Sequence, residues 1–341
     1  MKHSNKTIMK ENHPEPIDIV IPWVDGADPA WRQAFASTPG TGHTDTSEIR
    51  YRDWKTLRYW FRSIEQFAPW VRRIHFITWG HLPEWLDTSH PKLHVVNHRD
   101  YIPKEYLPTF SSNTIELNIF RIEGLAEHFV LFNDDTFLCR PHRPEAFFRN
   151  GLPCDMARLS IPQPSSVGHI IYNDLELING LHRQREVLRR HFGKWFSPRY
   201  GVGNLSKTLT LVPWSFLPGF FDPHMPQAYL RSSFERAWQQ WGSQLDRSCR
   251  HPVRDLTDLS HWLIRYDVLC RGEFSPCSLN DCRLMTLSDT TIEEILRQIR
   301  TQRYRMVCLN DGEAIRDFDD MSQKLCTAFE ELLPEKSGFE R

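Results

Sequence analysis

Four short, unbroken apolar runs constrain the fold of this chain more than any other feature of its sequence. They are IDIVIPWV (17–24), RIHFITW (73–79), LHVVNH (93–98) and HFVLFN (128–133). Each is shorter than a typical helix and too continuous for a strand with one wet face, so each reads as a β-strand covered on both sides. Between them the apolar spacing changes to the helical period. Trp54, Leu57, Phe61 and Ile64 predict a helix over 52–67, stopped by Pro69. A second helix is predicted over 113–127, with Asn113 and Glu116 at capping-box spacing and Gly124 near its end. Strands alternating with helices define an α/β fold with parallel strands and helices on both faces.

In such sheets ligands bind beyond the carboxyl ends of the strands. Asp25-Gly26 ends the first run, and Asn133-Asp134-Asp135 ends the fourth. The fold class therefore brings two segments more than 100 residues apart towards one crevice. Past Pro141 the alternation stops. Residues 150–222 are rich in Pro, Gly and aromatics, with one basic helix around 175–192. Helices return near 226–241, 256–269, 290–303 and 319–333.

The polar stretch 1–16 reads as a flexible leader without the apolar centre of a signal peptide. No run approaches the roughly 18–20 apolar residues that span a bilayer. Eight scattered cysteines without an export signal suggest reduced thiols in a cytosol. Cys249, His251, Cys270, Cys277 and Cys282 lack the paired C-x2-C spacing of a zinc site. With 42 Lys and Arg against 43 Asp and Glu, nothing points to nucleic acid as a partner.

Side-by-side carboxylates at a strand end repel, and a cation relieves that repulsion. Asn133, Asp134 and Asp135 accordingly suit a divalent metal that also holds a substrate phosphate, or else a solvated turn. Asn310-Asp311 in VCLNDGE repeats the pattern. Arg50 and Arg52 have the planar fork that grips phosphate. Trp23 can stack on a base or belong to the core, and His224, in the loop DPHMP, is a general-base candidate. P-loop, dinucleotide-binding, G-x-S-x-G and H-E-x-x-H motifs are all missing.

IDIVIPWVDGADPAW, RYRDWKTLRYWFRSIEQFAPWVRRIHFITWG, LPTFSSNTIELNIFRIEGLAEHFVLFNDDTFLCRP, DPHMPQAYLR and VCLNDGE, in this order, resemble the Stealth family. That family comprises bacterial capsular polysaccharide phosphotransferases and the catalytic part of the animal GlcNAc-1-phosphotransferase. The resemblance is dense over 17–141, sparser over 218–318, and absent over 142–217. It implies a sheet similar to the nucleotide-sugar-binding domain of A-type glycosyltransferases. It also implies one catalytic domain over 17–341: a core (17–141), a variable helical insertion (142–222) and a helical part completing the site (223–341).

The activity the resemblance implies is transfer of a hexose or N-acetylhexosamine 1-phosphate from a nucleoside diphosphate sugar, expected to carry uridine. The acceptor would be a hydroxyl of a capsular or exopolysaccharide, free or lipid-linked, and the released product a nucleoside monophosphate. It places Asp134 and His224 nearest the reacting centre, one as base and one assisting. It assigns Asp135, Asn310 and Asp311 to a divalent metal, Mg2+ or Mn2+. Arg50, Arg52 and Arg231 fall to phosphate, Trp23, Asp25 and Gly26 to the nucleotide end, and Asn133, Arg250 and Asp255 to further substrate contacts.

Pro22 and Gln227 differ from the animal forms, so a compact bacterial enzyme is the closer match. Work in the cytoplasm, at the inner face of the membrane, is the expected setting. The Trp- and Arg-rich segment 185–217 would then face acceptor or membrane. The rival readings are a metal-dependent glycosyltransferase, which releases nucleoside diphosphate, and an inactive glycan-binding protein.

Overall fold

In the computed structural model, which describes residues 15–39, 52–312 and 314–341, all four apolar runs are strands. The first half of the chain forms β1 (Ile17–Pro22), α1 (Pro29–Ala36), α2 (Leu57–Phe67), β2 (Ile74–Thr78), β3 (Leu93–Asn97), α3 (His98–Tyr101), α4 (Ser112–Leu117), β4 (His128–Leu131) and β5 (Thr136–Leu138). α1 starts where it does because the Asp28 carboxylate accepts from the Trp31 amide and Pro29 fills the first turn. α2 begins at Leu57, later than its apolar period suggests, because Lys55 adopts a positive φ of 60° that no helix continues. Residues 52–55 are thereby left as a loop.

The helix expected over 113–127 is much shorter. α4 ends at Leu117, a 3-10 turn follows at Ile119–Arg121, and Gly124 reverses the chain at φ 75°. Asn113 caps nothing: it is buried inside α4, and its amide donates to Asp258 Oδ2 at 3.1 Å. Asn118 also turns its amide back onto the Thr114 carbonyl, a local bond that competes with helix continuation.

The second half forms β6 (Phe148–Arg149), β7 (Leu152–Asp155), α5 (Ser166–Leu181), α6 (Gln184–Arg190), α7 (Phe192–Trp195), α8 (Val202–Leu211), β8 (Gln227–Leu230), α9 (Arg231–Cys249), α10 (Trp262–Arg271), β9 (Ser275–Pro276), β10 (Cys282–Thr286), α11 (Ile292–Arg300), β11 (Met306–Asn310) and α12 (Phe318–Leu332). The single basic helix expected near 175–192 is two helices, α5 and α6, parted at His182-Arg183. The stretch expected as a helix from 226 opens as strand β8, and α10 starts only at Trp262. α11 and α12 lie close to their expected ranges.

The main sheet has the order β3-β2-β1-β4-β8. β1, β2, β3 and β4 are mutually parallel, as the α/β reading requires, while β8 closes the edge antiparallel to β4. The chain leaves β1 to one side for β2 and returns to its other side for β4. The crevice between the carboxyl ends of β1 and β4 is therefore the switch point at which such sheets bind ligands. A smaller sheet, β10-β11-β5, stands next to it, with β11 antiparallel to β5.

Alternation along each strand divides the core in two. Ile19, Ile21, Phe76, Val130 and Phe132 pack with α2, α11 and α12. Val20, Ile77, Phe129 and Leu131 face the opposite layer, with residues of α5, α9 and α10. The insertion is part of that second layer: Leu159, Ile178, Trp195 and Phe220 are buried in the same cluster. Fully burying side chains of this size contributes about 1.5–3 kcal/mol each, so the insertion is held by the core it helps to build.

Candidate active site

β4 passes into β5 through a tight turn. The Asn133 carbonyl accepts from both the amide and the hydroxyl of Thr136, at 3.2 and 2.7 Å. Asp134 and Asp135 lie at the tip of that turn. The smaller sheet then adds a distant segment. Cys308 pairs with Thr136, and the Leu309 amide donates to the Asp135 carbonyl at 2.9 Å. Asn310, the next residue along, lines the same cavity as Asp134.

A cavity of about 290 Å³ opens on this side, lined among others by Trp23, Arg52, Asp53, Asp134, Asp135 and Asn310. Trp23 is held by Phe76, with ring centroids 5.5 Å apart, and meets His81 edge-on. Asp25 lies behind it: its amide donates to His81 Nε2 at 2.7 Å, and its carboxylate accepts from the Ala27 amide. Gly26 is buried, and its carbonyl accepts from Arg32 Nε at 2.6 Å.

Negative charge is concentrated here. Loss of hydration among the surrounding atoms pushes Asp134 up to about 7, and the Asp135 and Asp53 charges add to the rise. Burial likewise raises Asp135, tempered by the Cys308 thiol, which donates to its Oδ2 at 3.3 Å, and by the neighbouring His224. Desolvation raises Asp53 as well, with Asp25 contributing. Asp135 Oδ1 is buried with no hydrogen-bond partner.

That unpartnered oxygen is what a divalent cation takes. Mg2+ characteristically uses one or two carboxylates and fills its remaining positions with water and phosphate. Asp135 and Asn310 fit this pattern. Among the described residues no group of three or more His, Cys, Asp or Glu forms a closed metal cage.

Asp311 and Arg52 differ from their expected roles. Each was assigned separately, Asp311 to a metal and Arg52 to phosphate, yet they bind each other. Arg52 Nε donates to Asp311 Oδ2 at 2.6 Å, Nη2 donates to Oδ1, and Trp54 Nε1 donates to the same carboxylate at 3.1 Å. Arg52 also reaches the Gly312 carbonyl at 3.1 Å. Gly312 must be glycine, because a Cβ there would lie 2.0 Å from the Leu287 carbonyl oxygen. Asp311 is thus an anchor for Arg52.

On the other side of the turn a second cavity, about 310 Å³, is lined by Asn133, His224, Glu116, Arg254 and His261 among others. The antiparallel register places Gln227 beside Leu131, so the chain just before β8 extends past the end of β4 and brings His224 alongside Asn133. His224 sits between prolines at φ 51°, in the left-handed region that non-glycine residues seldom occupy. Its loop is tethered from below. Buried Arg265 donates to Asp222 Oδ1 at 2.8 Å and to both oxygens of Asp155, and Tyr266 donates to Asp222 Oδ2 at 2.7 Å. Burial pushes Asp222 up to about 6 against the pull of Arg265.

Two further groups in this cavity are strongly shifted. Burial raises Glu116 to about 7, partly offset by Arg254. Burial, with the nearby charges of Arg265, His224 and Arg254, lowers His261 to about 3. Their side chains approach to 3.6 Å, and His261 Nδ1 lies 2.7 Å from the Tyr229 hydroxyl.

Three expected substrate contacts lie elsewhere. Arg231 is at the wrong end of β4: its amide donates to the Glu127 carbonyl, a strand's length of roughly 13 Å from the turn. Its guanidinium pairs with Glu235 at 3.7 Å. Arg250 is engaged by Asp246 one helical turn earlier, and Asp255 accepts from Thr257 in a local turn. Arg254, the residue preceding Asp255, is the one that lines the cavity. Arg50 lies outside the described residues. Asp53, Glu116, Arg254 and His261 escaped the sequence reading; Asp53 and Arg254 adjoin residues it named, whereas Glu116 and His261 carried no local signal.

A parallel-sheet switch point carrying paired carboxylates, arginines and a loop histidine is the setting of a group-transfer enzyme that handles phosphate. The comparisons specify which. Stealth conserved region 1 matches residues 15–37 and conserved region 2 matches residues 50–154. The capsular polysaccharide phosphotransferase WcwK of Streptococcus pneumoniae is 40% identical over 332 residues, covering 96% of this chain and 98% of its own. The receptor polysaccharide phosphotransferase WefC of Streptococcus oralis is 36% identical, covering 95% and 99%. The exopolysaccharide phosphotransferase cps2G of Lactiplantibacillus plantarum is 35% identical, covering 98% and 99%. The chain belongs to the Stealth family, as a relative of its bacterial polysaccharide phosphotransferases along nearly its whole length. Among solved structures, mouse xyloside xylosyltransferase 1 aligns with a TM-score of 0.36 at 11% identity, over 86% of this chain and 98% of that one.

Proposed function

We propose that this polysaccharide phosphotransferase moves a hexose or N-acetylhexosamine 1-phosphate from a nucleoside diphosphate sugar, with uridine the expected nucleoside, to a hydroxyl of a capsular or exopolysaccharide acceptor. The acceptor oxygen bonds to the β-phosphorus as the bridging bond to the α-phosphate breaks. Nucleoside monophosphate departs, and the hydroxyl proton passes to a base on the enzyme. The products are a phosphodiester and the monophosphate.

The observation that carries this reading is the Asn133–Asp135 turn standing between two cavities, with carboxylates short of counter-charge on one side and His224 on the other. Donor binding in the first cavity uses the Trp23 ring for the nucleotide, with the Asp25-Gly26 turn behind it. Acceptor binding in the second brings a hydroxyl to Asp134 and His224, one accepting the proton and the other orienting it. Arg254 faces the negative charge that develops on the transferred phosphoryl group. Asp135 and Asn310 would hold Mg2+ or Mn2+, which when bound would neutralise charge on the phosphate oxygens.

The test is product analysis by mass spectrometry after incubation with Mg2+, UDP- and GDP-sugars and capsule-type oligosaccharides. Nucleoside monophosphate with an acceptor heavier by a sugar phosphate is the expected result. Nucleoside diphosphate with an acceptor heavier by a bare sugar would make the enzyme a glycosyltransferase.

A further inference from the structure

The insertion carries a surface that the transfer reaction leaves unused. Residues 182–216 contain seven Lys and Arg against one acid, Glu186, in a chain that is otherwise balanced. Lys194 is turned inward onto the Gly272 and Phe274 carbonyls. The other six, Arg183, Arg185, Arg189, Arg190, Arg199 and Lys207, are exposed, and none forms an ion pair among the described residues. Some exposed arginines elsewhere are neutralised by carboxylates, as Arg250 is by Asp246, Arg297 by Glu294 and Arg300 by Glu331.

Large apolar side chains are exposed in the same place. Leu209 is 57% accessible, Phe216 49%, Leu181 42% and Trp214 38%. Two buried or half-buried amides gather them. Gln184 Nε2 donates to the carbonyls of Leu211, Val212 and Trp214, and Asn179 bonds both backbone groups of Leu217. The end of α5, the start of α6 and the chain leaving α8 are therefore one patch, with Leu181, Arg183 and Arg185 set against Trp214 and Phe216.

We propose that this patch docks the enzyme onto an anionic lipid bilayer, lying on the surface without crossing it. Basic side chains meet anionic headgroups, while aliphatic and aromatic tips enter the headgroup–acyl boundary. A soluble polyanion would satisfy the arginines but leave Leu181 and Leu209 in water, so the mixture of charges favours lipid. No helix among the described residues is long and apolar enough to cross a membrane. α5 connects the patch to the chemistry: Ile171 lines the second cavity and Leu181 ends the helix, about 15 Å away along its axis. That distance suits a glycan growing outward from a lipid anchor.

The test is vesicle flotation of the full chain with pure phosphatidylcholine and with mixtures containing phosphatidylglycerol, at low and high salt. Binding to the anionic vesicles alone, weakened by salt, is expected. R183E/R185E and W214S/F216S should each weaken it by about tenfold or more, while transfer to a water-soluble oligosaccharide and the melting temperature stay at native levels. Absence of flotation, or flotation unchanged in both variants, would overturn the proposal. So would concentration-dependent dimerisation abolished by these substitutions without vesicle binding, or retention of soluble acidic polysaccharide in its place.

Discussion

The two cavities flanking the Asn133–Asp135 turn both desolvate a carboxyl but surround it with different neighbours. In the first, Arg52 and Asp311 pair across 259 residues of chain, while Asp53, Asp134 and Asp135 crowd together, burial and the neighbouring carboxylates raising Asp134 to about 7. In the second, ionisable groups are pressed into a desolvated wall, with Glu116 raised to about 7 and His261 lowered to about 3. Groups kept in their less charged forms near neutral pH characterise places where protons move. Such groups line both cavities, Asp134 the first and Glu116 and His261 the second, so the turn between them is where proton transfer fits best.

The largest effect is expected where the cavities meet. Asp134→Asn and His224→Ala should each lower kcat by about 10²–10⁴-fold with the fold intact, the range associated with losing a positioned acid or base. Steady-state kinetics combined with circular dichroism checks this. Loss confined to KM in both variants would move the reacting centre away from the turn.

Next comes the ion pair. Arg52→Gln should raise the donor KM about tenfold, and Asp311→Asn should do nearly the same, because the carboxylate acts by holding the guanidinium. In a double-mutant cycle the two changes should couple by about 1–3 kcal/mol, as a hydrogen-bonded pair in contact does. If Asp311→Asn instead raises the Mg2+ requirement while leaving donor KM alone, Asp311 is a metal ligand after all.

A smaller effect concerns stability. Glu116 ionises at about 7 in the folded protein against an ordinary value of 4.5. A raised carboxyl contributes its stability in full below about pH 4.5 and loses it as pH rises through 7. Glu116→Gln lacks that loss, so its melting temperature should gain on the native chain between about pH 5 and 8, by the equivalent of about 2–3 kcal/mol. A gap that stays constant across this range would mean that Glu116 is ionised throughout and paired with Arg254 or His261. Smallest of all, Arg231→Ala should change kcat/KM by less than about twofold, since its side chain points away from both cavities; a larger loss would contradict the β4–β8 register.

The strands, their burial on both faces and the acidic turn were legible along the chain because each is a local property. A continuous apolar run needs cover on both sides whatever surrounds it, and adjacent carboxylates declare their charge without reference to a partner. The cap predicted at Asn113 failed for the complementary reason. Asn113 is drawn into the core by Asp258, 145 residues away, and no local period records that bond.

What the sequence by itself determined was the parallel core, its crevice and the candidates Trp23, Asp134, Asp135 and His224 near it. What only the tertiary structure decided was partnership. Antiparallel pairing carried Asn310 to the cavity of Asp134, took Arg231 away from the turn and brought His224 to it. Packing joined Arg52 to Asp311 and buried Glu116 beside His261. Charge can be read residue by residue, but whether it is compensated depends on which distant segment lies across from it.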